Sequence, residues 1–247
     1  MKIILKNRIN LTHPPETFCN ELTDRLSFPN PKWIENEKMG RWNGKTPRFL
    51  TFYERDAQGL TVPRGSIGQL VTMARRHQIR FDLEDNRRTA PEVPFEFHGE
   101  LRQFQSDALA DILAHDFGTL QAPTGAGKTV IALAAIAERR QPALVVVHTK
   151  ELLNQWRDRI QSFLEIPKDQ IGQIGAGKQT VGDRITVATV QSLYRCAETV
   201  ASYIGHLIVD ECHRAPSRTF TEAVAAFDCK YMLGLSATPW RRDRLTR

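Results

Sequence analysis

The sequence predicts an α/β protein, a parallel sheet with helices on both faces, preceded by a small α+β domain. Three observations predict it. Beyond about residue 100, apolar runs alternate with amphipathic stretches, and runs such as ALVVV at 143–147 are continuously apolar, as strands covered on both faces are. A Gly-rich stretch, APTGAGKT at 122–129, lies between a strand-like and a helix-like segment. The first 95 residues differ in character, with short aromatic strands and a basic balance.

In the first part, residues 2–9 read as a strand and 14–26 as a helix with Pro at its start. FLTFYE (49–54) is aromatic and strand-like, followed by a turn at 56–59 and a strand at 60–62. Residues 67–76 read as a helix and 79–83 as a closing strand. TAPEVPFEF (89–97) is Pro-rich and follows a charged stretch, so it reads as a linker, dividing the chain into 1–92 and 93–247. In the second part, residues 103–115 form an amphipathic helix with Phe104, Ala108, Ile112 and Leu113 on one face. A strand ends at Gln121, a helix spans 129–140, a strand spans 143–147 and a helix spans 150–163. Residues 185–188, 206–209 and 231–235 read as further strands.

An apolar fraction of 41% is enough for a packed core. The N-terminal apolar run, Ile3 to Leu5, is too short for a secretory signal. The longest apolar run, 130–137, is far below a membrane span. The chain is expected to be soluble and cytoplasmic, with no membrane partner. Cys19, Cys196, Cys212 and Cys229 form no C-x-x-C pair and are expected to be buried or inert thiols.

The net charge of +6 is uneven. Residues 1–95 carry 16 Lys/Arg against 11 Asp/Glu, and residues 41–80 carry 8 against 2. Such an excess favours a polyanion partner, because released counterions drive binding to phosphate backbones, although a solvated basic face reads the same way.

The Gly-rich stretch has the residues a phosphate loop needs. Gly125 and Gly127 let the loop that starts at Pro123 turn the N–H groups of Thr124, Gly125, Ala126 and Gly127 onto phosphate oxygens, next to a helix N-terminus. Lys128 would reach the β- and γ-phosphates, and Thr129 would ligate Mg²⁺. A second G-x-x-x-x-G-K spacing, Gly172 to Lys178, is followed by Gln179 and reads as a loop. HLIVDECH (206–213) is an apolar strand ending in paired carboxylates. Asp210 could hold Mg²⁺, and Glu211 could orient and deprotonate the water that attacks the γ-phosphate.

APTGAGKT, HTKELLNQW (148–156), VATVQSL (187–193), DECH (210–213) and GLSATP (234–239), in that order, resemble the first RecA-like domain of superfamily 2 helicases. The resemblance is nearest to the XPB-like, UvsW-like and restriction-enzyme motor group. It implies a DNA-dependent (or RNA-dependent) ATPase using Mg²⁺-ATP, with Lys128, Asp210 and Glu211 in catalytic roles. It implies that Gln105, with Arg102 beside it, reads adenine. It also implies that Thr149, Lys150, Thr189, Gln191 and Ser192 touch the nucleic-acid backbone, and that His213, Ser236 and Thr238 couple the two sites. The second RecA-like domain, which supplies an arginine finger in such helicases, is not in this chain, so slow hydrolysis is expected of it alone. UvsW-like helicases carry a small DNA-binding domain ahead of the motor. By loose similarity Arg64 and its basic surroundings would grip DNA, with Trp42 or Tyr53 stacking on a base. At least three of Trp33, Trp42, Phe49 and Phe52 are nevertheless expected in the core. Two other readings share these residues: a motor subunit of a restriction or phage-defence complex with a nuclease or other partner, and a non-catalytic DNA-binding, nucleotide-sensing module.

Overall fold

The computed structural model describes residues 1–212 and 218–237, and of Arg218 and Thr219 the backbone alone. The chain forms two compact units that divide between Asn86 and Arg87.

The first unit is built on a five-stranded sheet. Its chain order is β1 (Lys2–Leu5), β2 (Arg8–Thr12), α1 (Glu16–Arg25), β3 (Ser27–Pro29), α2 (Pro31–Lys38), β4 (Phe49–Thr51), β5 (Glu54–Arg55), β6 (Gly59–Pro63), α3 (Ile67–Arg76) and β7 (Asp82–Asp85). Across the sheet the order is β5-β6-β2-β1-β7, with β3 and β4 forming a separate ribbon. The single strand expected over 2–9 is instead a hairpin: β1 and β2 pair antiparallel, with Leu5 opposite Ile9. Alternation explains the core. Ile3, Leu5, Ile9, Leu11, Leu60 and Val62 point to one face, where Phe18 and Leu22 of α1 and Leu70, Met73 and Ala74 of α3 cover them. α2 was not read from the sequence. Asn30 caps it, accepting from the Lys32 N–H, and Pro31 supplies the preset first helical φ.

The second unit continues with α4 (Gln103–Leu113), β8 (Phe117–Gln121), α5 (Lys128–Arg139), β9 (Ala143–Val147), α6 (Lys150–Leu164), β10 (Gly172–Gly175), β11 (Lys178–Thr180), β12 (Ile185–Thr189), α7 (Val190–Leu193), α8 (Ala197–Ala201), β13 (His206–Val209), α9 (Arg218–Ala225) and β14 (Tyr231–Ser236). Among the described residues these strands form a seven-stranded sheet of order β11-β10-β12-β9-β13-β14-β8. Every neighbouring pair is parallel except β10–β11. The segment read as a loop at 172–178 is thus largely strand. Ala176 and Gly177, both at positive φ, close a tight hairpin between β10 and β11.

The continuous apolar runs serve two cores. Alternate residues of β9 face opposite ways: Val145 and Val147 pack with Ile136, Leu153, Trp156 and Ile160 under α5 and α6. Leu144 and Val146 pack with Leu193, Val200 and Phe227 on the α7–α9 side. The fold class is as the sequence predicts. Phe104 departs from it, lying 48% exposed on α4 rather than on a buried face. Arg88, at the edge of the stretch read as linker, anchors this unit. Its guanidinium donates to Asp228 and to the carbonyls of Ala201, Ser202 and Ile204. Cys19, Cys196 and Cys229 are buried, and burial pushes the Cys19 and Cys196 thiols up from their ordinary pKa. No described helix is long and apolar enough to cross a membrane.

Candidate active site

In the parallel part of the sheet all strands run the same way, so loops leaving their C-terminal ends meet along one edge, where α/β sheets hold ligands. Most of the site residues read from the sequence lie there. The Gly-rich loop follows β8, Ser236 ends β14, and Asp210 and Glu211 follow β13. Thr149 and Lys150 follow β9, and Thr189 ends β12. The strand order therefore puts the loop, Ser236 and the carboxylates side by side and Thr149, Lys150 and Thr189 beyond them. His213 and Thr238 lie outside the described residues.

The loop owes its shape to two left-handed glycines, Gly125 at φ 86° and Gly127 at φ 81°, the latter at the N-cap of α5. The Lys128 ammonium folds back and donates to the carbonyls of Ala122 (2.8 Å) and Pro123 (3.1 Å). Thr129 follows in the first turn of α5. The Ala122 N–H donates to the Ser236 carbonyl at 3.1 Å, tying the loop to the end of β14.

Gln105 is 7% exposed and packs on the loop rather than standing free. Its Nε2 donates to the Ala126 carbonyl at 3.0 Å, and its Oε1 accepts from the Arg102 N–H at 3.0 Å. A Cβ on Gly127 would come within 2.4 Å of that Nε2, so the glycine is needed for space as well as for φ.

Both oxygens of Asp210 are held. Oδ1 accepts from the Glu211 N–H at 2.9 Å, and Oδ2 accepts from the Trp156 indole at 2.8 Å. Glu211 sits at φ 48°, an uncommon conformation for a non-glycine residue. Cys212 is half-buried against Thr119 and hydrogen-bonded to it, and burial pushes its thiol up. Gly234 leaves the room for it: a Cβ there would meet the Cys212 Sγ at 3.0 Å. Trp156, Thr119 and Gly234 were not singled out from the sequence. Trp156 appeared only as the end of a motif, and its place among the buried positions Leu153, Ile160 and Leu164 of α6 reads as plain core.

Further along the edge, Thr149 caps α6, accepting from the Leu152 N–H at 3.2 Å, and Lys150 is exposed. Thr189 is buried and its hydroxyl donates to Ser192, while Gln191 is exposed. Among the described residues no cluster of three or more His, Cys, Asp or Glu could hold a metal. A cavity of about 450 Å³ opens along β8 and the N-terminal ends of β13 and β14, lined by Asp116, Arg139 and His206 among others. It lies mostly toward the opposite ends of the strands from the carboxylates. There His206 is 1% exposed, and burial, with Arg139 adding to it, lowers its pKa from 6.5 to about 3.

The first unit carries its own surface. Arg41, Lys45 and Arg48 are exposed, and Arg48 lies over the rings of Trp33 (5.2 Å) and Phe49 (5.8 Å). Trp42 is 91% exposed, and Phe49 and Phe52 are exposed too, against the expectation that three of these four aromatics are core. The β3–β4 ribbon is too small to cover them. Arg64 is 7% exposed and so is not part of this open basic surface.

Residues 98–241 match the family described as type III restriction enzyme, res subunit. The chain is similar to the DNA 3'-5' translocase XPB2 of Sulfurisphaera tokodaii, 38% identical over 144 residues that make up 58% of this chain and 32% of that protein. It is similar to the probable helicase D10 of Escherichia phage T5, 28% identical over 169 residues, 68% of this chain and 36% of that one. The chain thus spans about a third of these curated relatives. Among solved structures, the UvsW helicase of bacteriophage T4 superposes with a TM-score of 0.72 at 20% identity, over 99% of this chain and 95% of that one. A Sulfolobus solfataricus SWI2/SNF2 ATPase core in complex with dsDNA superposes with a TM-score of 0.51 at 21% identity, over 62% of this chain and 35% of that one. These likenesses show the RecA-like helicase fold.

Proposed function

Because the chain belongs to the type III restriction enzyme res subunit family, we propose that it carries the ATP-binding part of a DNA helicase or translocase. One observation carries the reading: the Gly-rich loop, Asp210–Glu211 and the Thr149 and Thr189 loops share one edge of one sheet. Nucleotide and strand would then be bound by neighbouring loops, as a motor needs.

In this reading the N–H groups of residues 124–127 cradle phosphates, and Lys128 exchanges its two loop carbonyls for the β- and γ-phosphate oxygens. The Thr129 hydroxyl and Asp210 are hard oxygen donors that suit Mg²⁺, with nucleotide and water supplying the remaining ligands. Bound Mg²⁺ neutralises charge on the phosphoryl group in flight. Glu211 orients and deprotonates the attacking water. Gln105 retains one amide hydrogen and one lone pair for the adenine edge, with Arg102 beside it. Thr149, Lys150, Thr189, Gln191 and Ser192 contact the strand backbone, and Ser236 relays between the two halves through Ala122. The exposed Trp42 and the Arg41–Arg48 surface of the first unit supply a second DNA contact of stacking and charge. DNA is preferred over RNA because XPB2 is named a DNA translocase. The cytoplasm is where such a chain would meet its DNA. A motor subunit of a restriction complex would use the same residues, and the family's description favours keeping that reading. A nuclease or methylase bound to the purified protein would decide for it.

Titrating the protein with a fluorescent ATP analogue in Mg²⁺ tests the proposal. Lys128→Ala is expected to bind roughly tenfold to hundredfold more weakly. Equal binding by both proteins, or none by either, refutes it. Stimulation of hydrolysis by single-stranded, duplex and branched DNA against RNA then separates the polymers.

A further inference from the structure

Trp156 lies two turns into α6 and is 2% exposed, among Leu153, Ile160, Val145 and Val147. A phenylalanine would fill such a place. The indole adds a polar N–H to an apolar core, which costs free energy unless the N–H is bonded. It is bonded, at 2.8 Å, to Oδ2 of Asp210. The other Asp210 oxygen takes the N–H of Glu211 at 2.9 Å. Two donors on separate chain segments therefore fix one carboxylate rotamer, and each Asp210 oxygen keeps a lone pair for another contact.

We infer that Trp156 is a positioning residue, whose indole N–H sets the Asp210 carboxylate in the orientation that meets the metal of a bound nucleotide. The inference rests on the reading of Asp210 as a Mg²⁺ ligand. It also gives α6 a second task. The helix begins at Thr149 and Lys150, the proposed strand contacts, and reaches Trp156 about 10 Å along its axis, at 1.5 Å per residue. A rigid shift of α6 on strand binding would then be felt at Asp210.

The test uses the whole chain and the variant Trp156→Phe, which keeps the aromatic packing and removes the donor. Binding of a slowly hydrolysed fluorescent ATP analogue is measured across a Mg²⁺ titration and again in EDTA. The expected result is a requirement for about 10–100-fold more Mg²⁺, the range seen when a group orienting a metal ligand is lost, with binding in EDTA unchanged. Unchanged Mg²⁺ dependence overturns the inference. So does an equal loss with and without Mg²⁺, which would mean a packing role alone. If the variant does not fold, the indole ¹⁵N–¹H spectrum of Asp210→Asn decides. One of the four tryptophan resonances, buried and slow to exchange, must move relative to the unsubstituted protein. No movement overturns the inference. Failure of the unsubstituted protein to bind nucleotide would refute the reading of the site, and the indole spectrum would still report whether the Trp156–Asp210 bond exists.

Discussion

Replacing Gly127 with alanine should damage the second unit more than replacing Gly125, although both glycines sit at a similar positive φ. At φ 86° for Gly125 and 81° for Gly127, alanine in either place carries a left-handed strain of about 1–2 kcal/mol. At Gly125 that is the whole effect, since nothing lies within 4 Å of the added Cβ. At Gly127 the Cβ falls 2.4 Å from Gln105 Nε2. The end of a glutamine usually swings aside, but this one is buried and bonded at both ends, to Ala126 and Arg102. Moving it breaks the bond to the Ala126 carbonyl, about 1 kcal/mol more. Gly127→Ala should therefore cost about 2–3 kcal/mol, or about 4–12 °C in melting temperature at 2–4 °C per kcal/mol for a unit of this size. Thermal and urea unfolding measure it directly. In a double-mutant cycle with Gln105→Ala, the two changes should be less than additive by about 1 kcal/mol. Gly127→Ala no worse than Gly125→Ala, or an additive pair, would refute the reasoning.

Arg88→Ala should destabilise the second unit by about 2–3 kcal/mol, because three carbonyls and Asp228 lose a charged donor at once. Arg88→Lys should recover less than half of that, since an ammonium lacks the fork. His206 has its pKa lowered from 6.5 to about 3, so the unfolded chain binds the extra proton. Its stabilising effect is complete above pH 6.5 and is lost at up to about 1.4 kcal/mol per pH unit as pH falls toward 3. His206→Phe should remove that slope in urea melts of the second unit. Glu21 is held down to about 2 from 4.5 by His77 first, then Arg76, so its contribution is present above pH 4.5 and fades as pH falls toward 2. Glu21→Gln should flatten acid unfolding of the first unit over that window. Trp42→Ala should weaken binding to single-stranded DNA by about 1–3 kcal/mol and leave stability within about 0.5 kcal/mol, as its ring is exposed.

The parts of the fold that the sequence shows are those where one pattern dominates over a whole element. The segments 143–147 and 207–209 are uninterrupted apolar runs; β9 coincides with the first, and β13 is the second with His206 ahead of it. Ile67–Arg76 has a strong 3.6 periodicity, and α3 spans those residues. Where two patterns overlap, the reading slips. Gly172 to Lys178 looks like a phosphate-loop echo and like a loop, and it is a hairpin whose turn residues Ala176 and Gly177 both adopt positive φ. At 2–9 the turn is made of Lys6 and Asn7, without a glycine to mark it, and two strands read as one. α2 had a signal, Asn30 followed by Pro31, that outweighs its weak apolar pattern. The aromatics of the first unit mislead for a different reason. Hydrophobicity argues for burial, but the β3–β4 ribbon offers no second layer to bury them under. In the site, the loop and the carboxylates are legible because their chemistry is local. The Trp156–Asp210 and Gln105–Ala126 bonds join residues 54 and 21 positions apart, and no local pattern announces such pairings.

The bond from the Ala122 N–H to the Ser236 carbonyl extends the β8–β14 ladder one residue past the end of β8, onto the last residue of β14. Its amide hydrogen is therefore guarded by a carbonyl at the end of β14, and can exchange with solvent only when the loop and that strand end part. Ala122 is a natural gauge, readable at one residue by hydrogen–deuterium exchange, of whether the phosphate loop and the end of β14 move together or separately.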